Sequence, residues 1–215
     1  MGDILIIGEP GTGKTRMIFK FLPHFRKVIW VTTIRSAEVI RKSIESQFDV
    51  ELWIVDTHTW VRRASHTEKD VIVSNPINLN EVSLAIGRVL DVVGPRYLLA
   101  FDSISGLLLY HATQRVVHFL RNILVRLESD KASGMFTLVK NAHDIYAETS
   151  VSLMFSNIIE LERKFEDGVR RYIKLIKTFG YVEPEYAEFT IDSEGIHLPK
   201  PIEDFILDQL KKTHF

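Results

Sequence analysis

The chain has 215 residues, 46% hydrophobic and 26% charged, with a formal net charge of −1. That balance describes a globular chain long enough for a real core, with no global field to draw it to nucleic acid or an anionic membrane. The absence of cysteine excludes disulfide frameworks, thiolate metal sites and cysteine nucleophiles. No apolar run is long enough to span a bilayer and none reads as a signal peptide, so a cytoplasmic address without membrane insertion is expected.

Ile4-Leu5-Ile6-Ile7 reads as a buried strand. Directly after it, Gly8-Glu9-Pro10-Gly11-Thr12-Gly13-Lys14-Thr15 matches the phosphate-binding pattern G-x-x-x-x-G-K-[ST] at every fixed position. A loop that wraps a polyphosphate must turn its backbone N–H groups inward, and its glycines supply that freedom. Lys14 places a cation near the outer phosphates, and Thr15 offers a hydroxyl to Mg²⁺. The helix that opens here with Lys14, Thr15 and Arg16 adds its positive end to the anion site. The phosphate-contacting set is therefore Gly8, Glu9, Pro10, Gly11, Thr12, Gly13, Lys14, Thr15 and Arg16.

The spacing predicts a helix from Lys14 to Phe25, a strand at Val28–Val31, and a second helix capped by Ser36 with Val39, Ile40, Ile44 and Phe48 on its apolar stripe. Leu52–Val55 is the next strand, ending at Asp56. Thr57 to Asn80 reads as polar surface loop and short irregular pieces, then Val71-Ile72-Val73, and within it Trp60, Arg62, Arg63, His66 and Lys69 form a basic, aromatic-bearing stretch. A solvated loop or subunit contact is favoured there over a grip on single-stranded nucleic acid. Asn80 is expected to cap a helix running through Val93 to Gly94-Pro95. Tyr97–Phe101 follows as a buried strand closing in Asp102-Ser103. Thr113–Glu128 has helical spacing, Gly134–Val139 is a strand and Asp144–Phe155 a helix.

From Asn157 the pattern changes. Ile158–Leu161, Tyr172–Ile176 and Phe189–Ile191 read as antiparallel strands, and a last amphipathic helix carries Ile202, Phe205, Ile206 and Leu210. The expected organisation is one domain over 1–215: an α/β core to 156, antiparallel strands over 157–199, and a C-terminal helix over 200–215. The fold class is α/β, a mostly parallel sheet with helices on both faces. Ligands of such sheets bind at the carboxyl ends of the strands. The glycine loop and Asp102 both lie at such ends, which makes Thr15 and Asp102 the candidate Mg²⁺ pair.

Asn78 to Tyr110 resembles the helix–strand–Asp-Ser unit of RecA-superfamily ATPases, in particular the KaiC-like proteins common in archaea. Trp30 to Glu51 is similar to their second strand and following helix, and Ile176 to Leu198 to their closing β-hairpin region. The resemblance implies a RecA-like P-loop domain that binds ATP with Mg²⁺, often in a ring or filament of identical subunits with ATP between them. Two family features are missing. Where the family's second strand ends in a pair of glutamates, one the base that activates water, this chain has Ile34 and Arg35, neither of which can accept a proton. The family's closing Lys-x-Arg reads Lys177-Thr178-Phe179, so Lys177 is kept and the arginine is lost. Such an arginine is worth about 10³–10⁵ in rate.

Glu38, Asp56 and Glu9 are the acids that could substitute. Lys140 and Asn141 stand where related proteins place a γ-phosphate sensor. The eight histidines show no metal-ligand spacing. The stretches Gly106–Gln114 and Lys140–Thr149, where recombinases of this superfamily hold DNA, are short and not notably basic. Three functions follow in order: an ATP-binding regulatory or scaffold protein with weak or absent hydrolysis, an ATPase using an unconventional base or a partner, and a DNA-processing protein. The KaiC-like proteins associated with the flagellar motor, which bind a ring partner in an ATP-dependent way, are a parallel for the first.

Overall fold

The computed structural model describes residues 2–59, 67–166 and 168–211. Strand β1 (Gly2–Gly8) runs into the glycine loop and helix α1 (Lys14–Phe21). Strand β2 (Lys27–Thr32), helix α2 (Ala37–Glu45), and strands β3 (Glu51–Asp56) and β4 (Asp70–Ile72) follow. Helix α3 (Leu79–Val93), strand β5 (Leu98–Asp102), helices α4 (Ile104–Leu108) and α5 (Thr113–Ser129), strand β6 (Ser133–Val139) and helix α6 (Ile145–Ser152) complete the alternating part. The remainder is β7 (Asn157–Glu166), β8 (Gly168–Lys177), β9 (Tyr186–Ile191), β10 (Ile196–His197) and helix α7 (Lys200–Lys211).

All ten strands form one sheet in the order β10-β9-β8-β7-β1-β6-β5-β2-β3-β4. From β7 to β4 neighbouring strands run parallel, and β7 through β10 pair antiparallel. Alternation along the strands splits the core into two layers, because successive side chains leave a strand on opposite faces. Leu5, Val31, Phe101 and Phe136 pack under α3 and α5, while Ile4, Ile6, Trp30 and Ala100 pack under α1, α2 and α7. Trp30 is fully buried, with Phe19 of α1 edge-on at 5.4 Å. Truncating Trp30 to alanine is expected to cost about 3–5 kcal/mol.

Several local expectations need correction. The first helix ends as an α-helix at Phe21, since Pro23 cannot continue the ladder and a 3-10 turn over Leu22–His24 takes over. Asn78, not Asn80, caps α3: its side chain accepts the Asn80 N–H. Ser36 holds the N-cap position of α2 but makes no side-chain cap bond, and Val39 is exposed. Asp56 of the neighbouring strand accepts from the Ala37 N–H at 2.7 Å instead. Ile158–Leu161, expected among the antiparallel strands, also pairs parallel with β1. The short α4 was not anticipated. Trp60, Arg62, Arg63 and His66 lie outside the described residues. Lys69, within them, pairs with Glu51 at 3.6 Å.

The register aligns the carboxyl ends of five strands. Gly8 pairs with Val139, and Thr32 with both Asp56 and Asp102. Strand β6 lies between β1 and β5, so the glycine loop and Asp102 flank one central strand. The β7–β1 ladder stops at Leu161–Gly8, but the β7–β8 ladder runs on to Glu166–Gly168. Strand β7 therefore overhangs β1 and walls the glycine loop.

Candidate functional site

Gly11 and Gly13 take φ of 80° and 107°, backbone that an L side chain rarely adopts. Space reinforces the choice. A β-carbon on Gly13 would stand 2.6 Å from Ile191 Cδ1, one on Gly11 2.8 Å from Arg163 Nη1, and one on Gly8 2.5 Å from the Leu161 carbonyl oxygen. The loop is thus pressed against strands β7 and β9. Thr12, buried, donates from its hydroxyl to the Glu9 carbonyl at 2.9 Å and pins the turn.

Lys14 donates from Nζ to the carbonyl oxygens of Gly8 at 2.7 Å and Glu9 at 2.8 Å, so its ammonium lies across the mouth of the loop. Burial lowers its pKa to about 8, against the opposing pull of the Asp102 and Glu9 charges. A partly desolvated ammonium that donates only to backbone carbonyls, and to no carboxylate among the described residues, suits an incoming phosphate.

The second half of the site is built on the strand two places away. Asp102 is 2% exposed. Its Oδ2 accepts from the Thr15 hydroxyl at 2.8 Å and its Oδ1 from the Thr137 hydroxyl at 2.6 Å. Thr137 comes from β6, the strand between, and went unnoticed in the sequence. A threonine in an apolar strand gives no sign of what it faces until the strand order is known. The sequence-predicted pair Thr15 and Asp102 is in direct contact. Both offer oxygen, the donor type that Mg²⁺ takes, so the residues present fit that ion bridged to a phosphate. When bound, the ion would neutralise phosphate charge.

The edge beside Asp102 is equally defined. The Thr33 hydroxyl donates to the Ser103 carbonyl at 2.8 Å and accepts the Ser103 N–H at 2.9 Å. A β-carbon on Gly106 would clash with it at 2.2 Å, which accounts for a glycine inside α4. Ile34, 47% exposed, and Arg35, also exposed, follow at the mouth. Asp56 has both oxygens committed: Oδ1 accepts from His58 N–H at 2.7 Å and Thr59 N–H at 2.8 Å, and Oδ2 from Ala37 N–H and the Thr59 hydroxyl. Glu38 is exposed in the first turn of α2, and Glu9 is exposed on the loop.

The remaining predicted residues are placed less centrally. Arg16 reaches away from the loop to donate to the Asp192 carbonyl at 3.0 Å. The Lys140 N–H extends the sheet ladder by donating to the Gly8 carbonyl at 3.0 Å, but its Nζ bonds the buried Glu160 at 2.5 Å. Asn141 is exposed at a turn with φ of 61°. Lys177 pairs with Ile158 at the amino end of β7, the opposite end of the strands from the loop, and donates to the Phe155 carbonyl at 2.6 Å. Within one chain it does not reach the loop. A pocket of about 200 Å³ opens beside the loop, lined among others by Glu9, Thr12, Lys140, Glu160 and Arg163.

Comparison with known proteins agrees with this geometry. No curated protein matches the chain. Among solved structures, the KaiC-like protein PH0186 from the hyperthermophilic archaeon Pyrococcus horikoshii OT3 superposes with a TM-score of 0.69 at 20% identity, over 92% of this chain and 89% of that one. At that identity the match speaks for the fold, an α/β sheet of the RecA type. A family model described as "ATPase: KaiC" matches residues 2–202. With the phosphate loop, Thr15 and Asp102 assembled as above, the chain belongs to the KaiC family of P-loop ATPases.

Proposed function

We propose that this chain is an Mg·ATP-binding regulatory or scaffold protein that holds the nucleotide through Gly8–Arg16 and Asp102 and hydrolyses it slowly or not at all. The observation that carries the reading is the edge beside Asp102, where β2 continues into Thr33, Ile34 and Arg35 without a carboxylate. A base must accept a proton within hydrogen-bond reach of the attacking water. Isoleucine has no acceptor, and a guanidinium only donates. The acid on the adjacent strand, Asp56, is occupied by four hydrogen bonds that cap α2 and close its own turn. Phe179 stands where the family's arginine would be, so a neighbouring copy would bring no guanidinium from that position.

Binding is untouched by these losses. ATP then serves as a structural or signalling ligand, favouring an assembled state with further copies of the chain or with a partner protein. Nucleic acid is disfavoured as that partner by the near-neutral charge. A second reading, an ATPase with an unconventional base, draws support from Glu160, a buried carboxylate lining the pocket beside Glu9 and Thr12. Its Oε1 already accepts from Lys140, which opposes that role.

The test is to restore the missing group. Phosphate release by Ile34→Glu is expected to exceed that of the parent chain and to vanish again when Lys14→Ala is added. An Ile34→Glu protein that binds ATP yet releases no more phosphate than the parent would count against the reading.

A further inference from the structure

Strand β7 carries a second basic group to the phosphate loop. Where β7 overhangs β1, the Arg163 guanidinium lies against Gly11, its Nη1 2.8 Å from where a β-carbon would be, and rests on the Phe165 ring at 4.7 Å. Directly opposite Arg163 in the β7–β8 ladder is Arg171, and cross-strand partners share a face with β-carbons about 4.5–5.5 Å apart. Like charges in that relation destabilise a sheet. Among the described residues no carboxylate pairs with either arginine, and Arg171 Nε is buried without a hydrogen-bond partner. Two acids of β7 are matched elsewhere: Glu160 accepts from Lys140, and Glu162 from Lys174 at 2.5 Å.

Two facing guanidinium groups without counter-charge among the described residues, one of them against an anion loop, are costly unless an anion arrives. Their planar donor forks suit phosphate oxygens better than a lysine ammonium does. We propose that Arg163 and Arg171 form a clamp, supplied in cis by the β7–β8 hairpin, that grips the polyphosphate of the nucleotide held in the Gly8–Thr15 loop. The proposal rests on the nucleotide-binding reading above and adds to it a second cationic group, against Gly11. It also explains why position 11 has no side chain: one there would push the Arg163 fork off the loop.

The test measures equilibrium binding of Mg·ATP and of inorganic tripolyphosphate to the full chain and to Arg163→Gln, Arg163→Lys, Arg171→Gln and Lys14→Ala. Each glutamine variant is expected to weaken both ligands by about tenfold, as loss of a charged hydrogen bond does, with Arg163→Lys intermediate. The unliganded glutamine variants should melt no lower than the parent, because a like-charge contact is relieved. Weaker ATP binding with unchanged tripolyphosphate binding would move the contact to the base or ribose and overturn the clamp. Folded glutamine variants that bind both ligands like the parent, while Lys14→Ala does not, would overturn the clamp alone. A parent chain that binds no ATP would take the nucleotide reading down with it.

Discussion

The Thr15 hydroxyl donates to Asp102 Oδ2 across 2.8 Å, joining residues 87 positions apart in the chain. The bond closes the site between the first strand's loop and the end of β5, with Thr137 holding the other carboxylate oxygen from the strand between. Both ends of the bond offer oxygen to a divalent ion, and Lys14 adds a positive charge from the loop itself.

Removing that charge should silence the ligand. A ligand that binds only the folded state stabilises it by about 2.7 kcal/mol at a hundredfold excess over Kd, which for a chain of this size raises Tm by roughly 5–10 °C. Thermal melting with and without Mg·ATP is expected to show a rise of that order in the parent chain and none in Lys14→Ala.

Affinity should depend on pH through the same side chain. Lys14 in the free protein titrates at about 8, lowered by burial. Bound phosphates favour its charged form, so its pKa rises in the complex and binding takes up a proton above pH 8. The affinity for Mg·ATP is expected to be level from about pH 7 to just below 8. It should then weaken by up to about tenfold per pH unit above 8, until the pKa of the complex is reached. Titration calorimetry at pH 8.5 in buffers of different ionisation heat should report the proton uptake. A flat profile through pH 9.5 would mean that Lys14 does not change its charge on binding in that range.

Thr137→Val keeps shape but leaves Asp102 Oδ1 without its donor. Losing a hydrogen bond to a buried charged group costs about 1–3 kcal/mol, and the melting temperature should fall by several degrees. The Mg²⁺ dependence of nucleotide binding should shift as well, because the carboxylate is no longer fixed. Thr137→Ser is expected to recover most of both effects. A melting temperature unchanged in Thr137→Val would show that the bond contributes nothing to the fold.

How far the sequence reaches can be judged residue by residue. The glycine loop was legible because its pattern is local, strand before and helix after, and the clash distances at Gly8, Gly11 and Gly13 give the reason for that pattern. Asp102 was legible because it ends a run of apolar residues. Thr137 and Arg163 were not, since their roles come from strand order and from the overhang of β7 past β1, neither of which leaves a local trace. The caps were half legible. Polar residues marked the starts of α2 and α3 correctly to within two positions, but the acceptor for Ala37 proved to be Asp56, which is supplied from β3.

Whether this chain binds ATP without turning it over is decided by phosphate release from the purified protein, followed alongside its affinity for Mg·ATP. Saturable binding that Lys14→Ala abolishes is expected, with release no faster than from Lys14→Ala itself. Sustained release well above that control, by the chain alone, would contradict that expectation.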